Sequence, residues 1–139
     1  RYEILLESYI KTIKIEALTM LDMAKRQILP AVIAYSGTLA EAIGKVKAVS
    51  AQANTAAQEA LLLEITATLN AFNDGIIALE KTLEDPQATA DDVLKRAEYY
   101  RDVVFAAMNQ LRVHGDELET MVDAKAWPIP TYADMLFNV

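Results

Sequence analysis

The sequence predicts an all-α protein: an antiparallel up-down bundle of three to four long helices, the first kinked near Pro30, closed by an irregular C-terminal strap. Three observations lead there. Apolar residues recur at helical spacing along three long stretches. Only four glycines and four prolines interrupt 139 residues. After Ala126 the helical pattern gives way to WPIPTYADMLFNV, a proline-spaced aromatic run that holds the single tryptophan.

The first helix is expected over 1–48. Its seam runs through Leu6, Ile10, Ile13, Ala17, Met20 and Ala24, with Leu21 and Ile28 alongside. Glu7 with Lys11 and Asp22 with Arg26 stand four apart in the favourable order. Pro30 removes a backbone donor and crowds the preceding turn, so a kink or break is expected there. The pattern resumes with Ala31, Tyr35, Leu39, Ala42 and Val46. Straight, this helix would be about 70 Å long, more than its own small bundle can cover.

A second helix is expected over 55–84, opened by a capping box of Thr55 with Gln58. Leu62, Ile65, Leu69, Phe72, Ile76, Leu79 and Leu83 form the cleanest heptad seam of the chain. Asn73-Asp74-Gly75 is a turn signal in isolation, but the seam keeps its phase across it, which favours one continuous helix. Asp85-Pro86 ends it. A third helix is expected over 89–124, capped by Thr89, with Asp91 and Asp92 in its first turn. Its seam is Val93, Ala97, Tyr100, Val104, Ala107, Leu111, His114, Leu118 and Met121. Gly115 is a weak point where Asp116 and Glu119 could begin a separate short helix. Such seams pack at about +20° in bundles.

Composition narrows the function. At 53% hydrophobic and 24% charged residues, the chain can build one folded core. Its net charge of −7 and scattered basic residues suit neither phosphate neutralisation nor nucleic acid. The absence of cysteine excludes disulfides and thiolate metal sites and accords with a cytoplasmic setting. The uncharged stretch 27–40 is too short to span a bilayer, so no membrane partner is expected. The chain opens at Arg1, with no signal-peptide pattern, directly in helix; it reads as a piece of a longer polypeptide.

Catalytic sets are missing. A di-iron bundle needs Glu-x-x-His pairs, but the one histidine, His114, follows Leu111 at that spacing. It reads as a hydrogen-bonded packing residue. Ser8, Ser36 and Ser50 sit in no nucleophile elbow, and the glycines are too dispersed for a phosphate loop. Glu80 with Glu84, and Glu117 with Glu119, read as solvated faces, and the methionines as core filler. The Tyr99-Tyr100 pair also reads as packing. The expectation is therefore no catalytic residue, no metal ligand and no cofactor in this region.

The tail carries the interaction chemistry. Pro128 and Pro130 fix their own φ and hold Trp127 and Ile129 extended. Trp127, Ile129, Tyr132, Met135, Leu136 and Phe137 present more apolar area than water tolerates, so the segment must dock. Trp127, Pro128, Pro130, Tyr132, Leu136 and Phe137 are the expected docking residues. Their surface is either the groove of the same bundle or a neighbouring domain or subunit, where Trp and Tyr are typical anchors. Thr131 could cap a last helical turn.

Two stretches go beyond pattern: RYEILLESYIKTIKIEALTMLDMAKRQILPAV, residues 1–32, and AWPIPTYADMLF, residues 126–137. Together they resemble the C-terminal helical region of the bacterial type III glutamine synthetases. The resemblance covers about a third of the chain in motif and most of it in helix order. It implies a parent enzyme that joins ammonia to glutamate with ATP and divalent metal in a ring-shaped homo-oligomer. The residues for ATP, metal and glutamate belong to preceding domains and have no counterpart here. The implied role is a non-catalytic structural or interaction domain, partnered by the catalytic domain of its own chain and by neighbouring subunits. The competing readings are a stand-alone four-helix-bundle ligand-binding or sensory module and an oligomeric coiled-coil bundle.

Overall fold

The computed structural model describes residues 1–130, and within them the chain forms three long helical runs and no strand. The first run comprises α1 (Tyr2–Met23), a π-helical turn over Ala24–Ile28 and α2 (Leu29–Val49). The second is α3 (Ala56–Glu84). After a 3-10 turn at Pro86–Thr89, the third comprises α4 (Val93–Tyr99), a second π-helical turn at Tyr100–Val104, and α5 (Phe105–Met121). The all-α bundle expected from the periodicity is the fold observed.

Helical structure continues across Pro30, which occupies the first turn of α2. The irregularity lies just before it. In the wide turn the Leu29 N–H reaches back five residues to the Ala24 carbonyl. A wide turn relaxes the hydrogen-bond ladder where proline cannot donate. The second wide turn, with the Phe105 N–H on the Tyr100 carbonyl, has no proline to announce it. It accompanies two adjacent buried rings, Tyr99 and Tyr100, set edge to face at 6.3 Å between centroids.

Two caps differ from expectation. Thr55 makes no side-chain bond to the α3 backbone. Its buried hydroxyl instead meets Glu59 Oε2 at 2.9 Å, while Asn54 Oδ1 accepts from the Ala56 N–H. At the third run Thr89 closes the 3-10 turn, its hydroxyl on the Pro86 carbonyl. Asp92 is the cap, its Oδ1 accepting from the N–H groups of Leu94 and Lys95. A carboxylate three residues nearer the helix serves its free donors better than a distant hydroxyl. With Asp92 so engaged, Arg96 donates to the Ala90 carbonyl rather than pairing with it.

Gly75 and Gly115 lie where α3 and α5 pass close together, running antiparallel. A Cβ on Gly75 would lie 3.3 Å from Leu111 Cδ1, and one on Gly115 would lie 3.3 Å from Phe72 Cε1. Both helices therefore pass through their glycines uninterrupted, Asn73-Asp74-Gly75 included, and no separate helix begins at Asp116. The core is drawn from all three runs: Ile10, Ile13, Ala17, Leu21 and Val32 on the first, Ile65, Phe72, Ile76 and Leu79 on the second, and Tyr100, Val104, Met108, Leu111 and Leu118 on the third. Between Val32 and Thr55 no residue is buried. Among the described residues, α3 is the main partner of α2 beyond the adjoining π turn, so this stretch forms an arm with α3.

Candidate functional site

Past α5 the chain reverses. Asp123 organises the turn: its carboxylate accepts from the Lys125 N–H, and its carbonyl accepts from the N–H groups of Ala126 and Trp127. The reversal sends the tail back along the bundle. Trp127 and Ile129 are half-buried against the core, whereas Pro128 and Pro130 are exposed. Alternation of this kind is what an extended segment gives when one face lies on a surface. Tyr132, Leu136 and Phe137 lie outside the described residues.

Trp127 and Ile129 help to line a cavity of about 580 Å³ between α1 and α5. Met20, Met23, Ala24 and Ile28 form its α1 wall, Met108 and Leu111 its α5 wall, and Phe72 of α3 completes the apolar lining. Glu16, Arg112, Asp116 and Glu119 also line it. Three acids against one cation make a poor seat for phosphates. Among the described residues, no group of three or more His, Cys, Asp or Glu side chains is placed to hold a metal ion.

His114 lies apart from the cavity lining. Its Nδ1 is 3.3 Å from Glu117 Oε1, yet has no hydrogen-bond partner in the described structure. The hydrogen bond expected of it as a packing residue is therefore not formed at that nitrogen. Tyr99 donates to the Thr82 carbonyl at 2.7 Å. Burial first, and the nearby Asp85 charge second, raise its pKa; burial likewise raises that of Tyr100. A structural hydrogen bond and a protected neutral phenol describe a packing pair.

A second surface escaped the reading of seams. Tyr2, Ile4, Leu5 and Tyr9 are all exposed at the start of α1, Ile4 by 69% and Leu5 by 64%. A helix that is apolar around much of its circumference belongs inside something. The signal was present in Ile4-Leu5-Leu6, three consecutive apolar residues that no single helix face can bury together.

Comparison with known proteins gives consistent likenesses. The family model for the glutamine synthetase C-terminal domain matches residues 1–47. A glutamine synthetase of Butyrivibrio fibrisolvens is 33% identical over 100% of this chain, which covers 20% of that protein. Residues 1–47 thus carry the likeness to the glutamine synthetase C-terminal domain, and the whole chain is similar to one stretch of a longer glutamine synthetase. A Type-3 glutamine synthetase of Dictyostelium discoideum is 31% identical over 99% of this chain and 19% of its own length. A glutamine synthetase of Bacteroides fragilis (strain YCH46) is 25% identical over 99% of this chain and 19% of its own length. The chain thus spans about a fifth of the length of the curated relatives it matches. No solved structure matches it. Among its described residues no helix is long and apolar enough to cross a membrane.

Proposed function

We propose that this chain is a non-catalytic structural and interaction domain of a type III glutamine synthetase, and that it joins the rest of its enzyme through the first turns of α1. The carrying observation is the exposure of Tyr2, Ile4, Leu5 and Tyr9 at the end of the long first run. The parent enzyme makes glutamine from glutamate, ammonia and ATP, with divalent metal, in the cytoplasm. ATP and metal bind in its other domains. The partners of this domain are the catalytic domain of its own chain and neighbouring subunits of a ring-shaped homo-oligomer.

Among the described residues no group of three or more His, Cys, Asp or Glu side chains is placed to hold a metal ion, which supports this reading, as does the acidic lining of the cavity. The test has two arms. The chain alone, given glutamate, ammonia and Mg-ATP, should form no glutamine; turnover would overturn the non-catalytic role. In the full enzyme, Ile4→Asp with Leu5→Asp should impair assembly on size-exclusion chromatography and reduce activity, while the same pair in the isolated chain leaves its helical circular dichroism unchanged. Normal assembly and activity of that variant would remove α1 as the anchor.

A further inference from the structure

We propose that the cavity between α1 and α5 is a binding site for a small amphipathic organic cation, an amine with an aromatic or alkyl body. Its volume, about 580 Å³, is that of a small-molecule site. Its walls are sorted by burial. Phe72, Met108 and Leu111, each no more than 2% exposed, form an apolar floor with Ala24 and Ile28. Glu16 and Asp116 are exposed and Glu119 is half-buried, so the carboxylates stand toward the mouth. A ligand that suits both has an apolar body below and a positive charge above.

Local structure builds this space. Glu16, Met20 and Met23 follow one face of α1 at spacings of four and three, and Met108, Arg112, Asp116 and Glu119 follow one face of α5 at four, four and three. Gly115 keeps α5 bare where the Phe72 ring of α3 passes. Ala24 and Ile28 come from the π turn of the first run, and such turns recur at functional sites. The cavity itself calls for a ligand; charge chooses its sign. Three carboxylates outnumber one guanidinium, and among the described residues none of the three has an ion-pair partner. Apolar walls behind them focus their field on the mouth, and a net charge of −7 draws cations to the surface as a whole. Half-buried Trp127 adds a π face for the cation, and the methionines adapt to the apolar body. An anionic ligand meets repulsion at the same mouth. Tyr2, Ile4, Leu5 and Tyr9 lie outside the lining, so ligand binding and the anchoring role of α1 can fail separately.

Phenylbutylamine, phenylbutanol and phenylbutyrate share one apolar body and differ only in the charge of their end group. Trp127 is the only tryptophan, so its fluorescence reports the site without labelling, and titration calorimetry gives an independent Kd. The full chain should bind the amine about tenfold tighter than the butyrate, with the alcohol between them, and the margin should shrink as salt rises. Glu16→Gln with Asp116→Asn and Glu119→Gln should remove that order while leaving the helical circular dichroism unchanged, since none of the three is buried. Thr19→Phe, which fills the cavity from an exposed position of α1, should abolish the Trp127 response to amine and alcohol alike. Should that variant fail to fold, the charge variant still decides. No Trp127 response to the amine, equal affinity for amine and butyrate, an amine preference that survives the triple substitution, or binding undiminished in folded Thr19→Phe would overturn the proposal.

Discussion

Trp127 is half-buried, so its truncation should cost less than that of a fully enclosed ring. Trp127→Ala is expected to destabilise the chain by about 2 kcal/mol, below the range for complete burial, as read by urea denaturation. Asp92 is a cleaner single-residue case, since two cap hydrogen bonds converge on its Oδ1. Asp92→Ala should cost about 1 kcal/mol. Tyr99 and Tyr100 give a pH dependence. Their folded pKa values lie above the ordinary tyrosine value because burial favours the neutral phenol. The unfolded chain therefore releases these protons first. Stability from the pair is complete below about pH 10, the unfolded value, and fades as pH rises toward the folded values. Thermal melts between neutral pH and pH 11 should show this loss, and a Tyr99→Phe/Tyr100→Phe chain should lose less across the same window. That double variant starts lower by about 1 kcal/mol, since the bond to the Thr82 carbonyl is gone.

Among the elements, the four glycines separate two environments on the same helical background. Gly37 and Gly44 lie in α2 with nothing near the position a Cβ would take. Gly37→Ala and Gly44→Ala should each stabilise by about 0.5–1 kcal/mol, because helix propensity rises without a clash. Gly75 faces the Leu111 side chain and backbone. Gly75→Val should destabilise by about 1–3 kcal/mol through overpacking, measured in the same denaturation series. This contrast also marks how far the sequence could be read. The heptad seam through Ile65, Phe72, Ile76 and Leu79 keeps its phase across Asn73-Asp74-Gly75, so the helix was legible despite a turn-like tripeptide. The π turns were not. Apolar spacing of four and four from Ala24 through Ile28 to Val32 fits an ordinary helix as well as a widened one. Nor do adjacent tyrosines reveal that both rings turn inward. The cap at Asp92 was obscured by Thr89, an equally good capping residue whose hydroxyl closes its own 3-10 turn. For the candidate site, Trp127 and Ile129 stood out as apolar residues stiffened by prolines. Their cavity did not, because it is assembled by α1 and α5 from methionines that sequence alone reads as filler.

For the whole molecule, burial is unevenly distributed, and stability should follow it. The core spans Ile10 to Val32 on the first run, Ile65 to Leu79 on α3, and Ala97 to Leu118 on the third. The arm formed by the second half of α2 and the start of α3 contains one buried residue, Thr55. Val49 near its tip is 91% exposed, and Ile33 and Leu63 are likewise exposed. Helical hydrogen bonds in such a segment open locally, because few buried contacts oppose the entropy of fraying. Native-state hydrogen exchange should therefore divide the first run in two. Amides from about residue 36 to about residue 60 should exchange by low-energy local opening, insensitive to dilute denaturant. Those of Ile65–Leu79 and Val104–Leu118 should exchange only through global unfolding, with a steep denaturant dependence. The first two turns of α1 should join the fast class in the isolated chain, since Tyr2, Ile4 and Leu5 are exposed there, and become protected in the full enzyme where α1 is anchored. Uniform protection along α2 would mean that the arm is held by contacts beyond its pairing with α3. Fast exchange of Tyr2–Ser8 in both settings would show that the apolar start of α1 stays in water and anchors nothing.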